Sequence, residues 1–297
     1  MCTIVKSDKN EKDKVIDFLK YAAELLQKGK ISDPKLNAEL ILSGILSCKR
    51  FDLYINKDLI LGREYINKLE GILERRLRSE PLQYILEKTC FYGYDILLND
   101  KVFIPRQDTE LIVELFLSDI KGKDDIKIYE VGTGSGCISV AVAKELEKLQ
   151  KKYYIKAIDV SDDSIKTAKI NMKNNNVNEK NYDIEKIDFL KLTSLDNFFN
   201  FIISNPPYVP FDEYLFLDDE VKRYEPLYSI TDKKDGLSFY IKIFELLFDC
   251  QYNFILFLEI GESIKAKIES LVKYYGFKNY NFFKDCNNKF RVFKLEV

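Results

Sequence analysis

The chain has 297 residues, is 46% hydrophobic and 32% charged, and carries a formal charge of −2, a composition that fits one large and one small globular domain and no basic nucleic-acid-binding surface. It contains no histidine, and its six cysteines, at positions 2, 48, 90, 137, 250 and 286, form no C-x-x-C pair; this excludes histidine triads, histidine-ligated metals and a zinc-cysteine site, and reads as reduced intracellular thiols. The polar first residues show no signal peptide and no apolar run approaches the ~18–20 residues that cross a bilayer, which places the protein in the cytoplasm or inside an organelle, with no membrane partner and no metal.

Apolar residues recur at helical spacing over residues 12–28 (Val15, Ile16, Phe18, Leu19, Ala22, Leu25, Leu26). Asp33 before Pro34 marks a second helix start, an N-cap followed by proline at the first helical position. A third helix runs from about Arg63 to Arg78. Residues 1–85 thus form a small helical domain, which Glu80-Pro81 closes. From Thr89 to Ile104, alternating aromatic and β-branched residues around Gly93 and Asn99-Asp100 predict a hairpin, so residues 86–105 form a hairpin linker.

Residues 106–297 alternate strands with helices. Ile126–Val131, Ile155–Val160, Tyr182–Ile187, Phe201–Ser204 and Phe254–Glu259 are the predicted strands. Helices fall at Cys137–Leu149, from Ser161 to about Asn174, at Leu237–Phe248 and at Glu262–Tyr275. Phe277–Phe283 and Lys289–Val297 close the sheet as an antiparallel pair. The fold class is α/β: a Rossmann-like, mostly parallel sheet with helices on both faces, whose ligands bind at the carboxyl ends of the strands.

Four consecutive strand ends carry chemistry. The first gives Glu130-Val131-Gly132-Thr133-Gly134-Ser135-Gly136, a G-x-G-x-G loop opening a helix. Its spacing differs from the dinucleotide G-x-G-x-x-G, and an acidic residue at the strand end suits a cationic cofactor such as S-adenosylmethionine, which has a sulfonium and an ammonium group. Asp159 ends the second strand, where a carboxylate accepts hydrogen bonds from both ribose hydroxyls; it would also serve as a cap for the helix from Ser161. Asp188-Phe189 ends the third, placed to hold and stack an adenine, although Phe189 also suits core packing. The fourth gives Asn205-Pro206-Pro207-Tyr208. Pro207 restricts Pro206 to an extended conformation and neither proline has an N–H, so carbonyls stay free to accept. With the Asn205 side chain they make a stiff acceptor set for an –NH₂ group, and Tyr208 can cover a planar face. A Pro-rich turn after a strand is the plainer reading of the tetrapeptide alone.

Over roughly residues 80–297 the chain resembles the protein-(glutamine-N5) methyltransferases that act on peptide chain release factors, the HemK/PrmC family. The resemblance rests on Asn205–Tyr208 and the glycine loop. It also rests on Pro81-Leu82-Gln83-Tyr84-Ile85-Leu86, Ile104-Pro105-Arg106-Gln107-Asp108-Thr109-Glu110, Tyr224-Glu225-Pro226, Asp235-Gly236-Leu237, Leu258-Glu259-Ile260-Gly261, and Asp285 followed by Arg291-Val292. Glu87 stands where the family usually has glycine, Glu130 replaces a commoner aspartate, and a glycine expected before Phe254–Glu259 is missing. The Pro105–Glu110 stretch would also make a capped helix start, with Asp108 near the cap and Glu110 favoured by the helix dipole.

The resemblance implies S-adenosylmethionine as donor and the glutamine of the release factor Gly-Gly-Gln motif as acceptor; residues 1–85 resemble the family only as a helical domain of the right size, and with their own helices and a linker after them they are expected to be a release factor docking module. Asn205, Pro206, Pro207 and Tyr208 would hold the acceptor, and Glu130, Gly132–Gly136, Asp159, Asp188, Phe189 and Asn205 the donor. The alternative, an adenine amino-group methyltransferase acting on DNA or RNA, would need a flipped base and a basic cleft. With no histidine, and only Tyr208 evident as a base beside Asn205, turnover is expected to be nearly flat from about pH 6.5 to 8.

Overall fold

The computed structural model describes residues 14–196, 198–248 and 253–297; Cys2, Cys250 and the start of the residue 12–28 helix reading lie outside them. The chain divides into two compact units, Met1–Leu86 and Glu87–Val297.

The first unit is helical, with α1 (Val15–Lys28), α2 (Pro34–Leu46), α3 (Arg50–Ile55), α4 (Arg63–Leu77) and α5 (Leu82–Ile85). Helical spacing buries Phe18, Leu19, Ala22 and Leu26 of α1 against Ile41 and Leu42 of α2 and Leu69 and Leu73 of α4. Pro34 opens α2 as expected, but Asp33 makes no cap bond: it sits at φ 47°, in the left-handed region. The Asn37 amide closes this turn by donating to the Ser32 and Asp33 carbonyls at 3.0 and 3.2 Å. The short helix α3 carries too few turns for a periodic signal. It is held instead by polar contacts, with the Asp52 carboxylate accepting from Lys49 N and buried Glu39 accepting from Arg50 and Tyr54.

The second unit starts with a hairpin, β1 (Lys88–Phe91) and β2 (Tyr94–Leu97). Glu87, just before it, takes φ 56°, a left-handed conformation that glycine adopts more cheaply. The hairpin is fastened to the body of this unit. Fully buried Asn171 accepts from Leu97 N at 2.8 Å and donates to Leu97 O at 2.9 Å. There follow α6 (Glu110–Asp119), β3 (Asp125–Val131), α7 (Cys137–Lys148), β4 (Lys152–Asp159), α8 (Asp162–Asn174), β5 (Tyr182–Lys186) and β6 (Phe201–Ser204). Two short helices, α9 (Phe211–Tyr214) and α10 (Asp219–Tyr224), precede α11 (Ser238–Phe248), β7 (Ile255–Glu259), α12 (Lys265–Tyr274), β8 (Asn279–Lys284) and β9 (Phe290–Glu296).

Seven strands form one sheet in the order β5-β4-β3-β6-β7-β9-β8, parallel except for the β9 and β8 edge. This is the Rossmann-like α/β fold with a helical N-terminal region that the alternation of elements predicts. Side chains alternate across each strand. Phe201 and Phe257 face α6, where Phe116 meets them edge-on at 5.1 and 6.2 Å. Ile202, Leu256 and Leu258 face the opposite way, into a cluster with Tyr240 and Phe244 of α11.

Phe116 is fully buried between two strands and its helix. Phe116→Ala should therefore destabilise the protein by about 3–5 kcal/mol, read as a lower urea midpoint with an unchanged m-value.

Candidate active site

β3, β4, β5 and β6 end side by side, and their carboxyl ends enclose a cavity of about 400 Å³. Of the residues singled out in the sequence, Gly132, Thr133, Gly134, Ser135, Asp159, Asp188, Phe189, Asn205, Pro206 and Pro207 line it. Glu130, Gly136 and Tyr208 lie outside that lining, and each has a distinct place behind it.

The glycine loop is tied to β4. Gly132 N and Thr133 N both donate to Ile158 O, at 2.9 and 3.0 Å. Gly136 takes φ 79°, and a Cβ there would lie 2.9 Å from the Ala168 Cβ, so this glycine lets α7 pack on α8. Asp159 is nearly buried. Its two carboxylate oxygens accept from Gly134 N and Ser161 N, each at 2.9 Å, and burial raises its pKa against the pull of these donors. Ser161 itself caps α8, accepting from Ser164 N. Glu130 accepts from the hydroxyls of Thr133 and Ser139 through one oxygen, while Oε1 has no partner among the described residues. Burial pushes its pKa up to about 7. The Phe189 ring is buried and stacks on Phe239 at 6.0 Å with the planes 9° apart. Asp188 accepts from Leu190 N and pairs with Lys191. Cys137, the first residue of α7, also lines the cavity, and burial pushes its thiol up to about 12.

At the end of β6, the Asn205 Nδ2 donates to Thr109 Oγ1 at 3.1 Å. The Tyr208 hydroxyl donates to Glu259 Oε1, also at 3.1 Å. Burial and the Glu259 charge push the Tyr208 pKa well above 10, so it stays a neutral phenol at physiological pH and is no base. Gly236 sits at φ 79°, and a Cβ there would fall 2.2 Å from the Tyr208 carbonyl oxygen. Only glycine permits this approach, which presses the loop before α11 onto the Asn205–Tyr208 turn.

The Pro105–Glu110 stretch is a junction rather than a simple cap. Pro105 lines the cavity. Arg106 pairs with buried Glu225, which also accepts from Ile104 N at 3.4 Å. Asp108 pairs with Arg291 at 2.9 Å, and Arg291 also pairs with Asp285. Glu110 accepts from Tyr92 N in the hairpin at 2.8 Å. No side chain caps α6, so the expectation of Asp108 as a cap is corrected: the Arg291 guanidinium offers it a stronger, charged partner. The expectation that only Tyr208 could titrate near Asn205 is also corrected. Glu259 is fully buried beside Tyr208, and burial pushes its pKa up to about 7. Thr109, Phe239 and Glu259 carried no isolated signal in the sequence, although Thr109 and Glu259 lie in stretches that the family resemblance had marked.

The helical unit matches the PrmC N-terminal domain over residues 17–86, and residues 103–214 match the methyltransferase small domain. A release factor glutamine methyltransferase of Fusobacterium nucleatum is 34% identical over 97% of this chain and 80% of its own length. The chain belongs to the release factor glutamine methyltransferase family. A second member, from Flavobacterium psychrophilum, is 34% identical over 86% of this chain and 89% of its own. Among solved structures, the N-terminal domain of human METTL16 shares 16% identity over 81% of this chain and 84% of that one, with a TM-score of 0.48. No described helix of this family member is long and apolar enough to cross a membrane.

Gly236→Ala should cost about 1–3 kcal/mol from its positive φ alone, and more from the contact with Tyr208. A fall in the thermal midpoint together with at least a tenfold loss of turnover is the expected outcome of denaturation and activity assays.

Proposed function

We propose that this chain transfers a methyl group from S-adenosylmethionine to the side-chain amide nitrogen of the glutamine in the Gly-Gly-Gln motif of peptide chain release factors, modulating translation termination. The observation that carries the reading is that Asn205, Pro206 and Pro207 line the same cavity as the glycine loop and Asp159. The methyltransferase family supplies the reaction type and the release factor as substrate. The adenine amino-group alternative is not favoured by relatives named for release factor glutamine.

The residues fit the donor. Each Asp159 oxygen accepts one backbone bond and keeps capacity for a ribose hydroxyl. The unpartnered Glu130 Oε1 gives the loop a buried acceptor on the side of a cationic group. Phe189 offers an apolar surface for an adenine. When bound, S-adenosylmethionine supplies an electrophilic methyl group on a sulfonium. The protein's part is to hold the acceptor nitrogen. The Asn205 Oδ1 and the Pro206 carbonyl accept its two hydrogens, and the nitrogen lone pair then faces the donor side of the cavity. Such positioning can supply up to ~7–11 kcal/mol of the barrier. Acceptor oxygens also favour the positive charge that develops on nitrogen. This chemistry needs no metal. The helical unit serves to dock the release factor, and the cytoplasm or an organelle interior is the compartment in which substrate and enzyme meet.

Incubation with a recombinant release factor and methyl-labelled donor, followed by mass spectrometry, should place the label on the Gly-Gly-Gln glutamine; label elsewhere overturns the reading. Asn205→Ala should lose more than tenfold in turnover, about 1.4 kcal/mol or more, while donor affinity by calorimetry stays within a few-fold.

Deleting residues 1–85 should leave donor binding intact and weaken methylation of whole release factor far more than of a Gly-Gly-Gln peptide. Parallel losses on both substrates would show that the helical unit supports folding and not docking.

A further inference from the structure

Asn205 and Glu259 reach the same face of the sheet. Asn205 follows Phe201 and Ile203 in alternation, and Glu259 follows Phe257, so both point to the side covered by α6. Thr109, the residue before α6, meets Asn205 there at 3.1 Å. It is almost fully buried, as is Glu259. Glu259 Oε1 accepts the Tyr208 hydroxyl, whereas Oε2 has no hydrogen-bond partner among the described residues. The Thr109 hydroxyl lies close enough to hold the Glu259 pKa down, and its oxygen already accepts from Asn205 Nδ2.

The direction of this chain follows from its chemistry. An ionised carboxylate can only accept. With the Thr109 oxygen already accepting from Asn205, its single proton can turn to the neighbouring Glu259 carboxylate, which leaves Thr109 only lone pairs to offer Asn205. The Asn205 amide must then turn its –NH₂ to Thr109 and its oxygen toward the cavity. The opposite orientation would set an –NH₂ against the –NH₂ of the acceptor. We propose that Glu259 and Thr109 are positioning residues that lock the Asn205 amide with its oxygen toward the acceptor nitrogen. The inference rests on the functional reading above and extends it to Thr109, which lines the cavity, and to Glu259, which lies outside that lining.

The groups that face Glu259 set when the lock holds. Burial raises its pKa, the Thr109 and Tyr208 hydroxyls and Arg291 of β9 lower it, and Asp108 raises it. Tyr240 of α11 donates to the Glu259 backbone carbonyl at 2.6 Å, and burial, with Tyr208 and Glu259 nearby, keeps its own hydroxyl protonated. With a balance near pH 7, Glu259 is ionised above that pH and protonated below it. Protonated, it is a weaker acceptor and can itself donate to Thr109, whose own proton is then free to turn to the Asn205 oxygen and release the amide orientation.

The test uses the full-length enzyme with whole release factor, in single-turnover methyl transfer from pH 6 to 8. Wild-type turnover should rise with pH, with its midpoint near 7, where the sequence alone leads to a nearly flat profile. Thr109→Val should lower turnover about a hundredfold, the scale of a misplaced reacting group, with donor affinity unchanged within about threefold of wild type. Thr109→Ser should restore most of the loss. Glu259→Gln should be slow and flat over the same pH range. Thr109→Val within threefold of wild type, Thr109→Ser as slow as Thr109→Val, donor affinity falling in step with turnover, or Glu259→Gln keeping the wild-type pH rise would each overturn the positioning role while leaving the functional reading intact. A wild-type enzyme that methylates no release factor would overturn both.

Discussion

The parallel pairing of β3 with β6 is the constraint on which the site depends. Val131 is level with Ser204, and the Ser204 hydroxyl donates to Val131 O at 2.7 Å. Adjacent strands lie about 4.8 Å apart, so the glycine loop leaving β3 and the Asn-Pro-Pro turn leaving β6 must emerge as neighbours. A slip of one residue would turn Asn205 to the other face and away from Thr109. The buried runs Tyr129–Val131 and Phe201–Ile203 make such a slip costly, because each packs a different set of side chains on each side.

Around that pair the other motif residues act as a frame. Arg106 reaches Glu225 across 119 positions of sequence, and Arg291 joins Asp108 to Asp285. Glu225 is almost fully buried, and a buried carboxylate is tolerable only when its charge is met. The Arg106 pair and the Ile104 N–H meet it together, and so fix the chain segment that carries Pro105 and Thr109 into the site. None of these five ion-pair residues is among those that line the cavity.

Much of this architecture was legible because it is written locally. Apolar runs mark the strands, Ser161 marks the start of α8, and the Asn-Pro-Pro turn stands directly after β6, on the cavity wall. What was not legible depends on tertiary neighbours. Alternation along Phe257 and Glu259 shows that they share a face, but nothing local says that Thr109 covers it. Asn171 gives no hint in sequence that it clamps a hairpin 74 residues away. Composition excluded histidine titration correctly, yet the pKa of Glu259 is set by how deeply it is buried, which no residue count reveals. Asp33 and Asp108 both read as caps, and both were diverted, one by a left-handed turn and one by an arginine from β9.

Cys137 bears on the fidelity of the reaction. A methyl donor is an alkylating agent, and thiolates are the side chains most open to alkylation. This thiol stands on the cavity wall at the start of a helix, a position that would ordinarily favour its ionisation. Burial and the nearby Glu130 charge act against that and push its pKa up to about 12. At neutral pH the thiol therefore stays protonated. A protonated thiol is a weak nucleophile, so the burial that seats Cys137 in the wall also lowers its reactivity toward an alkylating agent held in the cavity.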